Sequence, residues 1–119
     1  GDLMLTAALA GRKWWAVAGT WVNVERAEYR LAMTHLALGQ HAAALVHAQA
    51  CRRVCIENDA DAGEAFFAAE LHARVHHAAG DAVVARAERE AASALLLSIT
   101  ESPGFYTKSL AALDEWLGA

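Results

Sequence analysis

Leu36-Ala37-Leu38-Gly39-Gln40-His41-Ala42-Ala43-Ala44 decides the reading of this chain. The same design returns 41 residues later as His77-Ala78-Ala79-Gly80-Asp81-Ala82-Val83-Val84-Ala85. In both stretches an apolar-periodic run stops at a glycine, a polar residue follows, and an alanine-rich run begins. Glycine suits the left-handed position just past a helix C-terminus, and the residue after it suits a turn. Each stretch therefore predicts a helix, a tight turn and a second helix.

Outward from these turns the punctuation keeps the same spacing. Asn58-Asp59-Ala60-Asp61 is a polar break, and Asp61-Ala62-Gly63-Glu64 has the spacing of a capping box, with Asp61 as N-cap and Glu64 three residues on. Thr20 is the matching candidate cap, 41 residues earlier. Ser102-Pro103-Gly104 reads as the last break. Six helices are expected, over 3–18, 21–38, 41–57, 62–79, 82–100 and 106–117. The short connections predict antiparallel hairpins. Sliding 20–58 onto 61–99 matches Ala27 with Ala68, Ala32 with Ala73, His35 with His76, Ala37 with Ala78, Gly39 with Gly80, Ala44 with Ala85 and Ala50 with Ala91. A two-fold helical-hairpin repeat follows. It would lie within a single domain over 1–119, with repeats at 20–58 and 61–99, an N-terminal helix at 3–18 and a C-terminal capping helix within 104–119.

Composition points the same way. Alanine supplies 30 of the 119 residues, and Pro103 is the one proline. Alanine has the highest helix propensity and lets helices approach closely. A net charge of −4 with acids and bases interspersed argues against nucleic acid, whose binders show a basic stripe. No apolar run reaches the ~18 residues of a membrane span, and the first residues lack the pattern of a signal peptide. Two cysteines four residues apart make no disulfide framework, so a reducing, cytoplasmic setting is expected.

The stretch Leu31-Ala32, then Leu38-Gly39-Gln40-His41, Ala44 and Cys51, resembles the tetratricopeptide repeat (TPR). That repeat places a small residue in the middle of its first helix, a glycine at the turn and small residues in its second helix. The second copy reads His72-Ala73, Ala79-Gly80-Asp81-Ala82, Ala85 and Ala92. The resemblance covers about 20–98 and implies an all-α fold of antiparallel hairpins stacked as a short, TPR-like right-handed solenoid. In this register Ala32, Ala44, Ala73 and Ala85 fall where two helices touch. The chain departs from the family in its period, 41 residues against about 34. It also carries Glu28 or Ala69 where the family has an aromatic, and Ile56 where it has a proline.

What the resemblance implies for function is a non-enzymatic protein- or peptide-binding scaffold whose concave face is lined by the first helix of each hairpin. Carried over position by position, the partner-binding groove would hold Arg26, Tyr29, Met33 and Leu36 in the first copy, and Phe67, Glu70, Arg74 and His77 in the second. Apolar area beside forked arginine donors suits a peptide with an acidic residue next to an apolar anchor. Glu70 and Arg74 are also spaced to pair with each other. A homodimer is one assembly that two short repeats allow.

The other chemistry-bearing residues have bland readings that outweigh sharper ones. His72 and His76 lie one turn apart, and Glu70, His77 and His35 are candidates for further ligands in a metal or small-molecule sensor. The repeat instead equates His72 with Leu31 and His77 with Leu36, both apolar positions. Cys51 and Cys55 match Ala92 and Leu96, which favours buried apolar roles. Trp14, Trp15 and Trp21 read as anchors for the first helix pair, the alternative being that one of them is exposed as a binding or dimer surface. Phosphate loops, nucleophile elbows and paired-carboxylate signatures are missing, so no enzyme, no cofactor and no resident metal are expected. A further alternative is a C-terminal helical module of a larger regulatory protein, since the chain opens on Gly1-Asp2 rather than on methionine.

Overall fold

The two glycine turns are built alike. In the computed structural model, which describes residues 20–118, α1 runs Trp21–Ala37 and α2 runs His41–Glu57. Gly39 sits at φ +74°, its N–H donates to Leu36 O, and the N–H of Gln40 donates to His35 O. Next, α3 runs Ala62–Ala78 and α4 runs Ala82–Leu95. Gly80 sits at φ +89°, with its N–H on His77 O and the N–H of Asp81 on His76 O. Each pair of bonds is a Schellman motif, which satisfies two helix-end carbonyls and needs a left-handed residue that glycine adopts without strain. The starts of α1 and α3, the glycines and the starts of α2 and α4 all repeat at the 41-residue interval.

Two compact units divide the chain, one ending at Asp59 and the other beginning at Ala60. In the first, α1 and α2 pack side by side, and their cross-links show that they are antiparallel. His35 Nδ1 lies 2.6 Å from Gln40 Oε1, His47 Nδ1 lies 2.7 Å from Glu28 Oε2, and Cys51 Sγ lies 3.4 Å from Glu25 Oε1. As the chain climbs away from the turn on one helix, its partners descend on the other. The seam of α2 is Ala44, Ala48, Cys51 and Cys55, a spacing that keeps one face of a helix turned to its neighbour. Small side chains there leave room for Leu31, which is wholly buried with Ala27 and Ala32 on α1.

In the second unit a further helix, α5 (Pro103–Leu117), packs on both α3 and α4. Its core joins Phe66, Ala69 and Ala73 of α3 to Ala92 of α4 and to Leu110 and Leu113 of α5. Gly63 makes the close approach of α5 possible, because a Cβ there would run into Tyr106 Oη and come within 3.1 Å of its Cζ. Among the described residues the structure is all-helical, with five α-helices, one 3₁₀ turn and no strand. The helix expected over 3–18, with Trp14 and Trp15, lies outside the described residues.

Two boundaries and one cap differ from expectation. The helix expected over 82–100 ends at Leu95 and passes into a 3₁₀ turn, Leu96–Ser98, with Ile99 extended. β-Branched Ile99 and Thr100 weaken the helix, and the turn brings Leu96 and Ile99 against the apolar core. The helix expected from 106 begins instead at Pro103. Proline is pre-organised for the first helical position and loses no bond there, so Ser102-Pro103-Gly104 is a start rather than a break. Thr20 precedes α1 with extended backbone, but its hydroxyl accepts from the Asn23 side chain instead of a backbone N–H. Asp61 does cap α3, accepting from the Glu64 N–H at 2.9 Å.

Candidate functional site

The expected groove residues fall on two helices, one in each unit. On α1, Arg26 is exposed, and Tyr29, Met33 and Leu36 are half-buried along one stripe. Their spacing of three, four and three residues keeps them on one side of a continuous helix. On α3 the equivalent stripe is engaged by the helix that follows. Phe67 packs edge-on to Phe105, ring centroids 6.0 Å apart, and lies 5.5 Å from Tyr106. Arg74 places its guanidinium 5.6 Å from the Trp116 ring, and His77 meets the same ring at 5.1 Å. Glu70 is buried and bonded to Arg74, so the pairing read from their spacing is present.

Further acids and one further histidine of the hairpins are also turned inward. Glu25 and Glu28 are buried on α1, where Cys51 and His47 of α2 reach them. In the second unit His72 is buried, with Nδ1 3.7 Å from Glu88 Oε2. His47 and Glu88 occupy equivalent places in the two hairpins, but the second copy puts its acid on the second helix and its base, His72, three residues beyond the position matching Glu28. His72 and His76 stack at 5.7 Å, and among the described residues no group of three His, Cys, Asp or Glu side chains is arranged to hold a metal ion. Cys51 and Cys55 are buried free thiols. A hydrogen bond with Cys55, then burial, then the Glu25 charge push the Cys51 thiol well above the ordinary thiol range.

A cleft of about 460 Å³ opens in the second unit, lined by His77 of α3, by Ala82, Ala85, Arg86, Arg89 and Glu90 of α4, and by Asp114 and Leu117 of α5. Its organising contact is a fork. Arg89 Nε donates to Asp114 Oδ1 at 2.7 Å, and Nη2 donates to Oδ2 at 2.8 Å. Nη1 donates to Glu90 Oε1 at 3.1 Å. Hydrogen bonding from Arg89 holds the Asp114 carboxyl below its usual range against the opposing effect of burial, and the same bonds raise Arg89. Arg86, one turn before Arg89, is exposed and has no hydrogen bond or ion pair among the described residues.

Of the cleft's side chains, sequence reasoning named only His77 as a binding residue. One signal was available. Arg89 corresponds to Ala48, a buried seam position of the first copy. An arginine in place of a core alanine needs an acid from outside the hairpin, and Asp114 supplies it.

No family model, curated protein or solved structure matches this chain.

Proposed function

We propose that this chain is a non-enzymatic scaffold that binds a protein or peptide segment on its helical hairpins. The observation that carries the reading is the recurrence of one turn design, Schellman motif included, at an interval of 41 residues. Hairpins repeated in this way are the units of TPR-like solenoids, which bind partners along their first helices. On this reading 20–58 and 61–99 are two such repeats of a right-handed solenoid, with 104–119 as its cap. The internal engagement of the acid–base groups supports a binding role over catalysis: Glu28 with His47, Glu70 with Arg74 and Arg89 with Asp114 all serve packing. The cytoplasm suits two reduced, buried thiols.

The α1 stripe is the primary surface, with Arg26 as the exposed donor and Tyr29, Met33 and Leu36 as adaptable apolar area. At the equivalent positions on α3, Phe67, Arg74 and His77 touch α5. The test is affinity capture from native lysate, followed by binding of the purified partner to the parent chain and to an R26E/Y29A variant. Partner binding should weaken at least about tenfold in the variant, with an unchanged circular dichroism melt. Equal affinity of the two chains for every captured partner would overturn the assignment.

A further inference from the structure

We propose that the cleft of the second unit takes the C-terminal end of a peptide, its carboxylate on Arg86 and Arg89 and its last aliphatic side chain against Leu117. This rests on the scaffold reading and names a ligand class for it. The argument begins with donors. A guanidinium carries five N–H groups, and Asp114 and Glu90 engage three of those of Arg89. Two remain, and the fork to Asp114 fixes the plane from which they project. Arg86 lies three residues earlier on α4, so both guanidinium groups rise from one side of the helix. Its own N–H groups have no partner among the described residues. The cleft therefore offers one positioned donor set and, one turn away on the same helix, a second with no partner among the described residues, donors that suit a planar carboxylate.

The rest of the lining selects among anions. Asp114 and Glu90 both face Arg89, so the four charged side chains of the wall sum to zero. A monoanionic carboxylate then meets directional donors without strong repulsion, whereas a dianionic phosphate would confront two carboxylates at close range. Ala82 and Ala85 add only small side chains to the lining, and Leu117 adds apolar surface from α5. A volume of about 460 Å³ falls within the usual ~300–1,000 Å³ of ligand pockets. It accommodates a terminal carboxylate and the side chain beside it, not a folded element.

The test titrates the full chain with N-acetyl-Ala-Leu, with the same dipeptide as its C-terminal amide, and with inorganic phosphate, followed by NMR. The free acid should shift the Arg86 and Arg89 Nε–H and the His77 ring resonances saturably. Binding should fall at least about tenfold for the amide and for the R86Q variant, the loss expected of a charge-assisted bond. R53Q, on α2, should bind as the parent does. Arg86 is exposed, so R86Q should keep its melting curve, and R86K should bind between R86Q and the parent. Equal binding of acid and amide, unchanged binding by R86Q, or tighter binding of phosphate would overturn the proposal. Should the dipeptide fail while a captured partner still depends on Arg26 and Tyr29, the scaffold reading stands and this inference alone falls.

Discussion

Replacing Gly39 or Gly80 by alanine isolates the backbone cost of the two turns. Both residues have positive φ, +74° and +89°, and a Cβ built on either meets nothing within 4 Å. Steric clash with neighbours therefore adds nothing, and the whole penalty is the left-handed conformation, about 1–2 kcal/mol for a residue with a Cβ. Restricting the unfolded chain returns about 0.4–1 kcal/mol, which leaves a net loss of about 1 kcal/mol at each site. Gly104 is the internal control. It too has nothing within 4 Å, but it lies inside α5 and not at positive φ. There alanine should stabilise by about 0.4–1 kcal/mol. In urea melts with a slope of about 2 kcal/mol/M, Gly39→Ala and Gly80→Ala should each lower the midpoint by about 0.5 M, and Gly104→Ala should raise it. Asparagine, which tolerates the left-handed region, should recover part of the loss at 39 and 80. A Gly39→Ala or Gly80→Ala chain as stable as the parent would refute the turn geometry.

Ala44 and Ala85 are almost fully enclosed, at 0% and 2% exposure, so leucine at either should overpack the hairpin and cost about 1–3 kcal/mol by the same melts. Leucine at exposed Ala42 should change stability by less than about 0.5 kcal/mol. Gly63→Ala should displace Tyr106 and cost about 1 kcal/mol or more, measurable as a loss of tyrosine near-ultraviolet dichroism together with a lower midpoint. Asp114→Asn removes a carboxylate whose folded pKa is held down by Arg89. The stabilisation it contributes is present above the ordinary carboxylate range and is lost as pH falls through the depressed value. The parent should therefore exceed the variant by about 0.5–1 kcal/mol at neutral pH, and the gap should close below about pH 4. Cys51 and Cys55 should resist a thiol reagent until urea unfolds the chain, because burial and a raised Cys51 pKa both suppress the thiolate.

The hairpins were legible because their signals are local. A glycine after an apolar run, an aspartate before one and alanines at seam spacing each state a backbone requirement within a few residues, so α1, α2 and α3 match expectation to within one residue. The end of α4 and the start of α5 were not legible from the same cues. Pro103 looks like a breaker after Ser102, but as the first residue of α5 it is pre-organised for the helix, and α5 carries Leu110 and Leu113 into the core. The cleft was hidden for a different reason. Arg89 and Asp114 lie 25 residues apart on separate helices, and only tertiary packing joins them. In the same way the repeat reading pointed Phe67, Arg74 and His77 at a partner, whereas Phe105, Tyr106 and Trp116 of α5 reach them first.

Side-chain NOE contacts across each hairpin report whether one hairpin design occurs twice, 41 residues apart. Contacts are expected from the His47 ring to Glu28 and from the His72 ring to Glu88, so that the equivalent positions 47 and 88 face successive turns of the first helix of each hairpin. Sequential helical contacts should stop at Gly39 and Gly80. Helical contacts running unbroken through either glycine, or a His47 ring remote from Glu28, would contradict the repeated design.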